Sequence, residues 1–317
     1  MHKPIVIASR QSPLAVAQAK AVRRLLGDVE GIEPANLEAH FPLKTYVTSG
    51  DKNLQHTLAD AGGKGLFVKE VEAALLSGEA DIAVHSMKDM PAAMPPGLVL
   101  AAVPPREDPR DAFVTLKGQT LNDLHEGAVI GTSSVRRTAQ LLRRRPDVSV
   151  VPFRGNVQTR LEKLARGEAE GTFLAEAGLQ RLGRTEIKRD ILAPTMMLPA
   201  LGQGVLCVQA RAGDERVLAL SSAIICAQTW VASAVERAFL GRLDGSCRTP
   251  MAGLATVAGD QIHFRAEILS LDGQLTEQCD EQFAVGESAK IAQLGQSFAE
   301  HLLNRANPAL RHALKRV

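Results

Sequence analysis

The sequence predicts an α/β chain: two α/β lobes followed by a smaller α+β unit. Three observations lead there. Residues 5–86 alternate β-branched runs with helical patterns in the order β-α-β-α-β, which implies a sheet with helices packed on it. A second βα series begins beyond a proline-dense stretch at residues 91–111. From about residue 222 the texture changes to a long helix, a hairpin and a closing helix.

Each element has a local reason. PIVIAS reads as a strand. SPLAVAQAKAVRRLL reads as an amphipathic helix with Ser12 as N-cap and Pro13 at the first helical position. TYVTSG follows as a strand, LFVKEVEAALLSG as a helix closed by Gly78, and ADIAVHS as a buried strand. The stretch PAAMPPGLVLAAVPPREDPRD interrupts any helix and suits a crossover between domains. Then GAVIGTSS and VSVVPFRG read as strands, VRRTAQLLRRR and NVQTRLEKLARG as helices, and GTFLAEAGLQRLG as a strand leading into a helix. A second breaker-rich segment, residues 192–204, precedes the strand VLCVQA. That strand comes late enough to return to the first sheet. The expected division is therefore 1–103 with 200–221 as a discontinuous first lobe, 104–199 as the second, and 222–317 as the α+β unit. In the last unit TWVASAVERAFLGRLDG reads as a helix with Val231, Ala234, Val235 and Ala238 on one face. QIHFRAEILSLDGQLTEQ reads as a hairpin turning at Asp272-Gly273.

Composition narrows the partners. The 317 residues are 45% hydrophobic and 23% charged, ample for buried cores. Aromatics are only 3%, too few for base-stacking nucleic-acid modules. A net charge of +2 is too mild for a general polyanion binder, so neither a nucleic acid nor a membrane is expected as partner. The four cysteines form no C-x-x-C pair and fit no zinc template, so no metal site is expected. A reducing compartment is the simpler reading. The N-terminal MHKPIVIASRQ lacks a signal-peptide core, and no apolar stretch reaches transmembrane length. The expectation is a cytoplasmic protein, with nothing demanding more than a monomer.

The basic residues are clustered, which suits a small anionic ligand. Asp89 stands just beyond the strand ADIAVHS, where ligands gather in open α/β sheets, with Lys88 beside it. Read alone, a loop carboxylate is usually just solvated. In GTSSVRR, Thr132, Ser133 and Ser134 open a helix whose first turn carries Arg136 and Arg137. Free N–H groups there make an anion site, and arginine opposes the dipole, so the pair needs another reason to be present. Arg143 to Arg145 suit the helix end. Arg10, Arg154, Arg160 and Arg181 also fall at strand ends and helix starts. Guanidinium grips carboxylates as a fork, so the pattern points to a ligand with several carboxylates. GGKGLF is no Walker loop, because it lacks the four-residue gap and the Ser/Thr after Lys64; it reads as a flexible turn or as a lid carrying Lys64 and Phe67. GQGVLC lacks the third glycine of a dinucleotide fingerprint. Cys247, in the loop LDGSCRTP beside Arg248, is the candidate nucleophile; Cys207 and Cys226 sit in apolar runs and read as structural.

Taken together, RQSPLA, GGKGLFVKE, AVHSMKDMP, EDPRDAF, GTSSVRR, FRGNVQTRLEKL, LPALGQG and ERAFLGRLDGSC resemble the porphobilinogen deaminase (hydroxymethylbilane synthase) family, in the right order from residue 5 to about residue 255. The last sixty residues match mainly in texture. The resemblance implies a transferase of tetrapyrrole (haem) biosynthesis that joins four porphobilinogen molecules head to tail into hydroxymethylbilane and releases four ammonia. It implies a dipyrromethane cofactor bound to Cys247 through a thioether, so that Cys247 is a permanent tether. Asp89 matches the family's catalytic aspartate. Lys88, Ser86, Thr132, Ser134, Arg136, Arg137 and Arg160 would hold the cofactor. Arg10, Ser12, Gln18, Arg154 and Arg181 would receive substrate carboxylates, and Lys64, Phe67 and Gln203 would line the loop and hinge. The implied fold is two lobes like those of periplasmic binding proteins, facing a cleft, plus an α+β domain with the cysteine loop. Asp60 stands where some members carry lysine, TPMAGLA follows the cysteine where many read Pro-Ile-Gly, and Glu176 adds an acid near the basic site. The rival reading is a two-lobed, non-catalytic solute-binding module for a polycarboxylate.

Overall fold

Apolar strands flanked by capped helices build the first sheet. The computed structural model describes residues 3–52, 65, 68–243, 249–286 and 288–315. Strand β1 (Ile7–Arg10) runs into helix α1 (Pro13–Glu30), where the Ser12 hydroxyl accepts from the Ala15 N–H and Gly31 closes the helix at φ 64°. The short helix α2 (Leu37–His40), strand β2 (Leu43–Tyr46) and the turn α3 (Ser49–Lys52) follow. TYVTSG is thus strand only at its first two residues, with Ser49 already helical. Helix α4 (Lys69–Leu76) leads to β3 (Ile82–Ser86), and β4 (Leu98–Ala102) lies inside the proline-dense stretch. Prolines flank that apolar run without entering it, so it remains free to pair.

Beyond a crossover, β5 (Asp111–Thr115), β6 (Val129–Gly131), α5 (Val135–Arg144), β7 (Ser149–Val151), α6 (Val157–Ala165), β8 (Gly171–Ala175), α7 (Glu176–Arg181) and β9 (Arg189–Ile191) make the second lobe. The chain then crosses back as β10 (Leu206–Arg211) and α8 (Glu215–Ser222). The first sheet has the order β2-β1-β3-β10-β4 and the second β7-β6-β8-β5-β9. Both follow one plan. In each, the fourth strand is antiparallel to its neighbours and is the strand delivered by the crossover from the other lobe. β5 and β10, being antiparallel, therefore both begin at the carboxyl ends of the parallel strands of their sheets.

The third unit holds α9 (Ala227–Arg242), the antiparallel sheet β11 (Met251–Ala258), β12 (Gln261–Leu269) and β13 (Thr276–Ala284), and helices α10 (Ser288–Arg305) and α11 (Pro308–Lys315). Its core gathers Val235, Phe239, Phe264 and Ile268. Of the expected face of α9, Val235 is in the core and Val231 and Ala234 pack against it partly buried. The fully buried set, Thr229, Ala232, Ser233, Val235, Glu236 and Phe239, is wider than that face and includes polar residues, as for a helix packed on several sides. Among the described residues no single helix is long and apolar enough to cross a membrane; α8 and α9 pass that test only as a pair bent by 111°.

Candidate active site

The carboxyl ends of the strands in both lobes open onto one cavity of about 1940 Å³. β1 delivers Arg10 and the Ser12 cap. β3 runs into a tight turn, Met87–Asp89, which sets Lys88 and Asp89 on the wall. β6 leads to Ser134, whose hydroxyl caps α5 by accepting from the Arg137 N–H, so that Arg136 and Arg137 face the cavity from the first helical turn. Arg154 lies in the loop after β7, Arg160 on α6 and Gln203 in the second crossover; all three also line it.

The reason for two arginines at a helix start is Asp111, which the sequence reading passed over. Asp111 opens β5 and is 0% exposed. Arg136 Nη2 lies 2.8 Å from one of its oxygens and Arg137 Nη2 2.7 Å from the other. Gln203 Nε2 donates to the same carboxylate at 2.9 Å. Burial pushes the Asp111 carboxyl up, but the two guanidiniums and the bonds from Arg137 and Gln203 outweigh it and hold the group well below the usual carboxylate range. Arg136 also donates to the Leu198 carbonyl and Arg137 to the Phe173 carbonyl. Arg137 Nε remains buried with no partner.

Gln203 relays this anchor to the first lobe. Its amide oxygen accepts from Lys88 Nζ at 3.1 Å, while its amide nitrogen faces Asp111 and the Pro109 carbonyl. Burial lowers the Lys88 ammonium to about 8, against the opposing pull of Asp89. Burial and the charges of Arg137 and Arg154 lower Arg160 to about 10. Arg160 makes one side-chain bond, to the Gly155 carbonyl, and no carboxylate pairs with it among the described residues. A buried cation beside Arg137 with no acid paired to it is electrostatically suited to an anion.

The other expected site residues are placed differently. Gln18 is buried and donates to Ser86 Oγ at 2.8 Å, so both stand behind the wall. Thr132 is buried and accepts from the Ser134 N–H. Arg181 is held by Glu107 at 2.9 Å and the Gly204 carbonyl at 2.8 Å, off the cavity lining. Glu176 is a buried structural partner of Arg189, with both oxygens engaged at 2.7 Å. Cys247, Lys64, Phe67 and Asp60 lie outside the described residues. Burial raises the thiols of Cys207 to about 12 and Cys279 to about 11, which removes both as nucleophiles. A second missed feature is Arg106, which joins Glu236 of α9 at 2.6 Å and the Gln203 carbonyl at 2.9 Å. The only trace of either acid in the sequence is its place in the blocks EDPRDAF and ERAFLGRLDGSC.

Lys88 should be charged below about pH 8 and neutral above it, so its hold on a carboxylate weakens as pH rises through that value. Competitive acylation of the cofactor-free chain should give a Lys88 midpoint near 8, moving upward when an anionic ligand is bound. An ordinary lysine midpoint, unmoved by ligand, contradicts this.

A family model described as "Porphobilinogen deaminase, dipyromethane cofactor binding domain" matches residues 5–219, and one described as "Porphobilinogen deaminase, C-terminal domain" matches residues 230–304. A porphobilinogen deaminase from Paracoccus denitrificans is 48% identical over 305 residues, covering 96% of this chain and 95% of that one. One from Nitrobacter hamburgensis is 47% identical over 300 residues, covering 95% and 93%. Among solved structures, an ABC transporter from Parabacteroides distasonis aligns over 78% of this chain and 82% of that one, at 17% identity and a TM-score of 0.42. The two family models and the two relatives span nearly the whole chain, which thus belongs to the porphobilinogen deaminase family.

Proposed function

We propose that this chain condenses four porphobilinogen molecules head to tail on a dipyrromethane cofactor tethered to Cys247, releasing four ammonia, and that one water then cleaves the new chain from the cofactor as hydroxymethylbilane. One observation carries the reading. Among the described residues, Asp89 is the one carboxylate on the cavity wall, which it shares with Arg10, Lys88, Arg136, Arg137, Arg154 and Arg160. A ligand with many carboxylates and one developing cation matches that distribution of charge. A solute-binding module would use the cations but has no need of Asp89, and the family match favours the enzyme.

The residues present fit the cofactor. The buried, unpartnered Nε of Arg137 and the acid-free Arg160 suit its acetate and propionate groups. Lys88, Ser134, Arg136, Arg137 and Arg160 would hold it, with Ser86 and Thr132 shaping the wall from behind. When bound, the cofactor supplies the free pyrrole position from which the chain starts. Arg10, Ser12 and Arg154 would take the two carboxylates of each incoming porphobilinogen. Gln18 and Arg181 would act indirectly, Gln18 through Ser86 and Arg181 through Glu107 and the second crossover. Lys64 and Phe67 would close the loop side and Gln203 would serve at the hinge. Loss of ammonia from porphobilinogen leaves a cationic methylene-pyrrole. Asp89 would stabilise that charge, then accept the proton released after the carbon–carbon bond forms.

The three separate sheets support a division into 1–103 with 200–221, 104–199 and 222–317. The described wall of the cavity comes from one chain, and we propose that it acts as a monomer. Thioether formation needs Cys247 as a free thiol, which supports a reducing cytoplasm.

Intact-mass analysis of the purified chain should show the cofactor's added mass, mapping to the peptide with Cys247 and giving a pyrrole colour with Ehrlich's reagent. A bare Cys247 thiol in fully active protein would overturn the tether. Asp89→Asn should keep the unfolding midpoint and lower turnover by about 10²-fold or more. A wild-type rate in that variant would remove Asp89 from its role.

A further inference from the structure

The cavity extends from the cation wall along α9 into the third unit. Trp230, Ser233 and Arg237 all line it, and their spacing of three and four residues puts them on one face of the helix. Ser233 is 1% exposed, and its hydroxyl is buried with no hydrogen-bond partner. An unpaired buried hydroxyl costs roughly 1–3 kcal/mol, so its place on a cavity wall needs a reason.

Arg237 is the second anomaly. Its guanidinium donates to the Ala92 carbonyl at 2.7 Å and touches Met87 Sδ at 3.6 Å, with no carboxylate paired to it among the described residues. Several other buried guanidiniums are matched by acids, Arg106 by Glu236, Arg136 and Arg137 by Asp111, and Arg189 by Glu176, so that among them Arg237 shares its lack of an acid with Arg160 of the cation wall. Arg242, on the same helix, pairs with Glu300. Burial lowers the Arg237 guanidinium, as expected for a cation that lacks its counter-charge.

Charge counting says what would supply it. Each pyrrole ring of the growing chain carries two carboxylates. Two cofactor rings and one incoming ring already bring six carboxylates to a main wall on which Arg136 and Arg137 also share Asp111. Every later ring adds two more carboxylates. We propose that Arg237, Ser233 and Trp230 form a second subsite that receives carboxylate-bearing rings of the lengthening oligopyrrole. Arg237 takes a ring carboxylate as a fork, Ser233 donates its free hydroxyl, and Trp230 presents a flat apolar face to the pyrrole. The subsite rests on the proposed condensation reaction, and it accounts for where the product goes as it grows.

The test is time-resolved intact-mass analysis of the cofactor-loaded enzyme after brief exposure to porphobilinogen, which resolves chains carrying one to four added rings. In Arg237→Leu and Ser233→Ala, cofactor loading and the first addition should match wild type. The later additions should slow by about tenfold for Arg237→Leu, with partly extended chains accumulating, and Arg237→Lys should recover part of the rate. Ser233→Ala removes a hydroxyl that bonds nothing in the fold, so its unfolding midpoint should not fall, yet its later additions should lag. If Arg237→Leu does not fold, Ser233→Ala decides. Ring distributions identical to wild type in the folded variants overturn the subsite and leave the reaction standing. A wild-type enzyme that adds no rings overturns both.

Discussion

A single buried carboxylate organises this molecule. Asp111 holds Arg136 and Arg137 side by side and fixes the Gln203 amide, all from the first residue of β5. Two adjacent guanidiniums taken out of water repel each other and lose hydration. Without an acid between them they would swing to solvent or pull the start of α5 apart. With it, they stay on the cavity wall with a donor to spare on Arg137. The position matters as much as the charge. β5 begins where the chain arrives from the first lobe, so the anchor lies at the join between lobes and can reach the returning crossover through Gln203.

From that anchor the rest of the site follows. Gln203 orients its oxygen toward Lys88, so a hydrogen-bonded line runs from Asp111 in the second lobe to Lys88, whose charge acts on the neighbouring Asp89. A second pin holds the third unit. Glu236 accepts from Arg106, from the Gly202 N–H and from the Ala255 N–H, joining both crossovers to α9 and β11. Helix α9 leads directly to residues 244–248, where Cys247 lies, and its cavity face carries Trp230, Ser233 and Arg237. Both buried acids thus serve the placement of cations and of the proposed tether.

Local rules made much of the fold legible. Ser12 and Pro13 start α1 and Asp272-Gly273 turns the β12–β13 hairpin, because capping and turn chemistry act within a few residues. The cluster of basic residues at strand ends is the basis of the ligand proposed above, and the ordered blocks announced the family. What stayed hidden depends on contacts distant in sequence. Asp111 meets Arg137 across 26 positions and Gln203 across 92. Arg181 reads like any other site arginine until Glu107 and Gly204 are seen to hold it. The same limit applies to α9, whose buried face mixes Glu236, Thr229 and Ser233 with Val235 and Phe239, so no hydrophobic period marks it.

The Asp111 clamp is most directly tested by a double-mutant cycle on folding stability, comparing Asp111→Ala, Arg137→Met and the double variant by urea unfolding at neutral pH. If one carboxylate holds the pair, the two changes couple by about 2–3 kcal/mol, because removing Asp111 alone strands buried charge that the second change relieves. Losses that add to within about 0.5 kcal/mol would show that Asp111 and Arg137 act independently, and the clamp would not be the organising interaction.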